Sequence, residues 1–351
     1  MKFNIGNVAF GSKRTVVIAE AGVNHLGDMK KAEKLVEAAK HGGADIIKFQ
    51  TYKADKLTTR NAPRFWSWEG ERIQNGSQYD SYSILDKFGR VQYEELIGIC
   101  RGYEIEFLST PFDHEAAEML VGLGMRGFKV ASCDITNLPF LEYLAKFNLP
   151  ILLSTGASSI EEIRTAVESI EARSNAPVGI MQCTLCYPTE PEDANLRAIL
   201  DIAKHFPNNA LGFSDHTLGT TIASASVLYG VKYIEKHFTY DKSLPDSADH
   251  WLSLDEQGLK KLVDELRLLE KALSGNGMKE KLDCEDKTHK YARRSIVANK
   301  PIRCGEMFSP ENICCKRPGT GMPPALMDRF LGHKASRDIE EDELLSLEDI
   351  L

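Results

Sequence analysis

At 351 residues and a net charge of −8, the chain is long enough for one large domain plus a small one, and too acidic for a general nucleic-acid binder. No apolar run reaches membrane-spanning length and residues 1–10 carry no signal-peptide pattern, so a cytoplasmic protein without membrane contact is expected. Eight cysteines in so long a chain do not make a dense disulfide framework, and the CxxC of Cys183 and Cys186 has no second pair at ligand spacing, so reduced thiols are the expectation.

In chain order, residues 1–13 read as a hairpin with turns at Gly6 and Gly11. Residues 16–19 form a buried strand that ends at Glu20, and 30–41 an amphipathic helix. A second strand over 46–50 carries Lys48 and Gln50. The following stretch, 51–89, is long for a connection and holds Phe65, Trp66, Trp68, Tyr79 and Tyr82, which reads as a lid, a binding loop or an oligomer contact, or as packing. From residue 91 the rhythm is regular. Helices over 91–103, 116–123, 138–147, 160–172 and 196–206 precede strands over 105–108, 127–131, 151–153, 178–183 and 210–213. The polar residues at or beyond these strand ends are Ser109 and Thr110, then Lys129, Ser132 and Asp134, then Ser154, then Thr184 and Tyr187, then Ser214, Asp215 and His216. A small-residue helix over 221–229 leads to a strand over 231–234, which delivers Glu235, Lys236 and His237, and a last helix covers 255–273. Eight strand–helix units in this length predict a (β/α)8 barrel, and the lack of G-x-G-x-x-G after the first strand argues against a dinucleotide-binding sheet. The barrel is expected over 1–273, a polar linker over 274–292, and a small separate module over 293–351.

In such a barrel the strand ends converge on one mouth. They bring together Glu20, Lys48, Gln50, Thr110, Lys129, Ser132, Asp134, Ser154, Ser214, His216, Lys236 and His237. Taken singly, each lysine is an ordinary solvated charge and each histidine an ordinary buried ring. Together, three lysines and several hydroxyls in an acidic protein suit a phosphate or carboxylate. Imidazoles at two neighbouring strand ends can share a metal and leave positions open for substrate. This reading gives a barrel enzyme with a metal and a small anionic substrate.

The stretches AEAGVNHLGD (19–28), IIKFQTYKADKLTT (46–59), FLSTPFD (107–113), FKVASCDITNLPFL (128–141), ILLSTG (151–156), QCTLCYPTEPEDANL (182–196), GFSDHT (212–217), IEKHFTYDKSLPDSADHWLSL (234–254) and VANKPIRCGEMFSPENICCKRPGTG (297–321) together resemble the sialic acid synthase family over almost the whole chain, with the last 59 residues similar to its SAF, or antifreeze-like, domain. The resemblance implies condensation of phosphoenolpyruvate with an N-acylated mannosamine-type sugar to a nonulosonic acid and phosphate, first of all N-acetylneuraminate, with legionaminate and pseudaminate as alternatives. It implies that His216 and His237 hold a catalytic Mn²⁺ or Mg²⁺. Lys48, Thr110, Lys129, Ser132, Ser154 and Ser214 match phosphoenolpyruvate positions; Glu20, Gln50, Tyr187 and Asp249 match positions for the sugar or for proton transfer. Asp134 stands where some members carry Glu, and with Glu20 and Lys129 makes up the implied catalytic set. Arg317 is implied to enter a neighbouring subunit's site, hence a domain-swapped homodimer. Leu185 departs from the family's Asn, Thr or Ser near the phosphoenolpyruvate. A Schiff-base aldolase using Lys48, Lys129 or Lys236, and a non-catalytic sugar- or ice-binding protein, are the readings from other classes.

Overall fold

The computed structural model describes residues 1–66, 76–244 and 249–351, so Trp68 lies outside the described residues. The chain forms two compact units, residues 1–274 and 275–351.

The first unit opens with the expected hairpin, β1 (Phe3–Ile5) against β2 (Val8–Phe10), turned at Gly6 with φ of 55°. Eight parallel strands follow: β3 (Val16–Gly22), β4 (Ile46–Thr51), β5 (Glu106–Pro111), β6 (Phe128–Val130), β7 (Ile151–Ser154), β8 (Val178–Cys183), β9 (Ala210–Asp215) and β10 (Tyr233–His237). They are hydrogen-bonded in the order β5-β4-β3-β10-β9-β8-β7-β6, a nearly closed barrel with β5 and β6 at the remaining seam. These strands are apolar on both faces because helices cover the outside and packed side chains fill the inside. Several helices start at an Asp or Ser that follows a strand and caps the first turn: Asp28, Asp113, Ser159 and Asp255 accept from the backbone there.

The hairpin plugs the N-terminal end of the barrel. Phe10 meets Tyr233 edge-on at 5.3 Å, and Tyr233 is fully buried across β8 and β9. Its ring occupies the room left by Gly179 and Gly212, where a Cβ would overlap it. The chemistry is therefore confined to the other end.

The barrel matches the expected order of elements, but the ladders run beyond the apolar runs that announced them. β3 continues through Glu20 to Gly22, β9 includes Ser214 and Asp215, and β10 includes Glu235, Lys236 and His237. Polar side chains are tolerated there because they face a shared polar cavity or one another. The helix expected over 221–229 is α-helical over Thr221–Ser226 and tightens to a 3₁₀ turn over Val227–Tyr229, stopped by Gly230 at φ of 92°.

The second unit contains a helix over Asp286–Ala292, inside the stretch expected to be a linker, and a small sheet of β11 (Ser295–Ala298) and β12 (Ile313–Lys316). Ile296, Ile302, Phe308, Ile313, Phe330 and Leu345 make its core. Among the described residues, no helix of the protein is long and apolar enough to cross a membrane.

Close packing at the barrel floor gives a stability prediction. Gly212→Ala forces a methyl into the Tyr233 ring and should cost about 1–3 kcal/mol in urea unfolding. Gly98→Ala, in the helix Arg90–Gly102 with open space around it, should instead gain about 0.5–1 kcal/mol.

Candidate active site

Side chains alternate along a strand, so every second residue enters the barrel. On β10, Tyr233 takes the floor, Glu235 the next level and His237 the rim. Lys236, read from sequence as a third lysine of the mouth, faces outward instead. Its ammonium meets Asp215 at 2.7 Å and the Thr217 carbonyl, and both charged groups are buried behind the strands. The mouth therefore holds Lys48 and Lys129, each with a carboxylate.

These groups line a cavity of about 590 Å³. At its floor, Lys48 Nζ lies 2.6 Å from Glu20 Oε2, 3.2 Å from Thr110 Oγ1 and 3.7 Å from Glu235 Oε1. Lys129 Nζ is 3.4 Å from Glu235 Oε1, which also accepts from Ser214 Oγ at 3.2 Å. Gln50 donates to the other oxygen of Glu20 at 2.8 Å. The four charged side chains are at most 5% exposed. Burial disfavours charge on all of them, and pairing opposes it. Burial would raise the Glu235 carboxyl, but Lys129 and Lys48 outweigh it and hold the pKa at about 2. Burial pulls Lys48 down while Glu20 and Glu235 carry it above its usual value. Lys129 stays below its usual value, chiefly through burial, with Glu235 opposing.

A row of hydroxyls flanks the lysines. Ser132 Oγ accepts the Gly156 N–H at 2.9 Å and points its own hydrogen at Cys183 Sγ, 3.7 Å away. Ser154 Oγ points at Met181 Sδ, 3.9 Å away. Sulfur is a weak acceptor, so both hydroxyls can turn to an anion at small cost. Gly156 has a reason to be glycine: a Cβ would stand 2.9 Å from Ser132 Oγ and 3.1 Å from Leu185 Cβ. Leu185 thus lies beside the hydroxyl row, as the sequence suggested.

At the rim, His216 and His237 stand 5.2 Å apart between ring centroids, nearly edge to face. His216 Nδ1 lies 2.9 Å from the Thr184 carbonyl, so that nitrogen is the donor and Nε2 keeps its lone pair. Burial, then His237, lowers its pKa to about 3. Asp249 Oδ2 is 3.4 Å from His237 Nδ1, and although burial works the other way, Asp249 raises the pKa of that ring. The Tyr187 ring lies 4.1 Å from the His216 ring and 5.6 Å from that of His237. Among the described residues, no set of three or more His, Cys, Asp or Glu closes on one point.

A further expected site residue does not line this cavity. Asp134 ends the 3₁₀ turn Ser132–Asp134, and its carboxylate accepts from Asn137 at 3.1 Å; Cys133 lines the cavity instead. The tight turn sends Ser132 inward and leaves the Asp134 carboxylate on the side-chain amide of Asn137. Arg317 belongs to the second unit, exposed in the turn after β12. In the other direction, Glu235 was passed over although it joins both lysines. Its parity with His237 on one short strand is the signal that identifies it.

The chain matches the NeuB family over residues 35–279 and the SAF domain over residues 293–351. It belongs to the NeuB family. It is 38% identical to N,N'-diacetyllegionaminic acid synthase of Campylobacter jejuni, over 95% of this chain and 99% of that one. With the pseudaminic acid synthase of the same species it shares 35% identity over 96% and 97% of the two chains. Among solved structures, the N-acetylneuraminic acid synthetase of Leptospira borgpetersenii in complex with citrate superposes with a TM-score of 0.72 at 31% identity, covering 82% of this chain and 95% of that one. This NeuB-family member thus has relatives named for three different nonulosonic acids.

The charge set at the floor yields a prediction on ligand linkage. Glu235→Gln keeps the shape but removes the partner shared by two buried lysines, and should destabilise the empty protein by about 3 kcal/mol. Inorganic phosphate should then raise the melting temperature more in the variant than in the wild type, as measured by thermal unfolding across a phosphate titration.

Proposed function

We propose that the protein condenses phosphoenolpyruvate with an open-chain N-acylated mannosamine-type sugar to give a nonulosonic acid and phosphate. The observation that carries this reading is the floor set of Lys48 and Lys129, paired with Glu20 and Glu235 and flanked by Thr110, Ser132, Ser154 and Ser214. Such a set suits a substrate with two anionic groups, a phosphate and a carboxylate.

Lys48 and Lys129 neutralise charge that phosphoenolpyruvate brings and charge that grows on departing phosphate. The hydroxyls fix its oxygens, so that the enol carbon faces the aldehyde held toward the rim by Gln50, Tyr187 and Asp249. That carbon bonds to the aldehyde carbon, whose oxygen takes up a proton. Water adds to the phosphate-bearing carbon and gives its proton to Glu20, oriented by Lys48 and Gln50. The tetrahedral adduct then breaks its C–O bond to phosphate and passes its hydroxyl proton to the departing phosphate as it becomes the ketone, while the proton taken by Glu20 balances the one taken up by the aldehyde oxygen. Asp134, turned toward Asn137, takes no part in this scheme.

The rim residues fit a divalent ion. His216 is neutral, its Nδ1 is committed to a carbonyl and its Nε2 is free, while His237 faces it with Asp249 behind. A pair, unlike a closed cage, leaves positions for water and substrate oxygens. Mn²⁺ or Mg²⁺ bound there would supply Lewis acidity toward the aldehyde oxygen.

N-acetylneuraminate, from N-acetylmannosamine, is the first product to test. The relative named for N,N'-diacetyllegionaminic acid favours diacylated sugars as the second. Incubation with phosphoenolpyruvate and a panel of these sugars, read by phosphate release and product mass, tests the reading; no release with any sugar would overturn it. Chelation should abolish turnover and Mn²⁺ should restore it. Electron paramagnetic resonance should detect Mn²⁺ bound to the wild type and no such binding in His216→Ala or His237→Ala. A Schiff-base aldolase would instead survive chelation and be trapped by borohydride.

The resemblance and the exposed Arg317 guanidinium support a domain-swapped homodimer in which Arg317 completes the partner's sugar site. In a mixed dimer of Arg317→Ala and His237→Ala subunits, one site collects both defects and the other has neither. Up to half of the wild-type activity should return. An inactive mixed dimer, with subunit exchange verified, would refute the shared site.

A further inference from the structure

Tyr52 is the first residue past β4, on the face that carries Lys48 and Gln50. At about 3.3 Å per residue, it stands ~13 Å along the strand from Lys48, toward the solvent end. It is 6% exposed and lines the cavity, yet its hydroxyl has no hydrogen-bond partner among the described residues. The ring is held edge-on by Tyr82 at 5.4 Å and by Phe112 at 6.0 Å, and Trp66 packs on Tyr82 at 5.6 Å. Burial drives the phenol well above its ordinary range, so the group is a donor. A buried hydroxyl left unpaired is unfavourable unless something that visits the cavity accepts from it.

Position and surroundings select the acceptor. The phosphate end of the substrate is held at the level of Lys48, so Tyr52 meets the far part of the sugar. The ring faces of Phe112, Tyr82 and Trp66 make these surroundings largely apolar, so a sugar hydroxyl packed against them would be desolvated at a cost. An acylamino group suits the place, its methyl against the rings and its carbonyl toward the phenol. We propose that Tyr52 is a specificity-determining residue of the sugar site, its hydroxyl donating a hydrogen bond to the acyl carbonyl of the substrate. The inference rests on the condensation reading above and adds a residue of the 46–59 stretch that had no role assigned from sequence.

Tyr52→Phe removes one oxygen and keeps the ring. The variant should unfold at the same or a higher urea concentration, because the hydroxyl has no partner in the empty protein. Its KM for phosphoenolpyruvate should be unchanged, and its KM for the N-acyl sugar that the wild type uses should rise about tenfold or more. The affinity for mannose, measured as substrate or as competitive inhibitor, should not move. An N-acyl sugar KM within about twofold of wild type overturns the inference. A clear loss of stability overturns it too, since the hydroxyl would then have an internal role. An equal penalty on mannose assigns the contact to a sugar hydroxyl and overturns the acyl assignment. No turnover by the wild type with any sugar would remove the condensation reading and this inference together. Turnover by the wild type with an unaffected variant removes this inference alone.

Discussion

Two lysines and two carboxylates share the floor of the cavity, and almost none of their surface reaches solvent. Charges so placed persist only in pairs, since an isolated one would neutralise or unfold its surroundings. The four groups come from four strands: Glu20 on β3, Lys48 on β4, Lys129 on β6 and Glu235 on β10. No local segment could assemble them, so the set exists only when the barrel closes with the right register. The ladder puts His237 opposite Glu20 and Glu20 opposite Lys48, which ties the histidine rim to the charged floor through backbone alone. An anion that arrives finds the lysines already desolvated and already held. Little reorganisation remains to be done, which is the condition for strong electrostatic stabilisation of a growing charge.

Period-two alternation then divides the labour along each strand. β10 supplies an apolar residue to the floor, a carboxylate to the charged layer and an imidazole to the rim. β4 supplies Lys48, then Gln50, and then Tyr52 just past its end. The barrel is therefore layered: sealed by the hairpin and Tyr233 at one end, ionic at the floor of the cavity above them, aromatic toward solvent. The outward-facing partners serve packing instead. Lys236 and Asp215, next in sequence to His237 and His216, pair with each other behind the strands. Such a pair gives weak net stability but a specific spacing between β9 and β10.

Much of this was legible in the sequence because hydrophobic runs mark strands and because their polar endings cluster. Lys48, Lys129, Thr110, Ser154, Ser214 and both histidines could be placed at one mouth on that ground. What failed was the inward or outward sense of individual residues. The sequence KH at 236–237 offers two chemically attractive neighbours, and alternation permits only one of them to face the cavity. Fixing His237 inward would have sent Lys236 out and brought Glu235 in. Asp134 failed for a different reason: it follows its strand by a tight turn, where parity no longer holds. The aromatics of 51–89 read equally well as packing or as a binding wall, because composition has no direction. Tyr52, Trp66 and Tyr82 line the cavity. Arg317 could be seen as a residue of a turn, but the role proposed for it needs a second subunit, which a single chain does not contain.

Leu185 follows from the same physics. A polar side chain there would add one more donor to a cavity that already offers an anion two ammonium groups and the hydroxyls of Thr110, Ser132, Ser154 and Ser214. Its hydrogen bond would be one among many, in a place where the lysines dominate. Leu185 packs over Gly156, next to Ser132 and Cys183, where a polar side chain would draw in water. Attraction between charges weakens as the local dielectric rises. Leu185 is itself 36% exposed, so it borders the cavity without sealing it. With no donor at position 185, the attraction this cavity offers an anion comes chiefly from the two lysines and the row of hydroxyls.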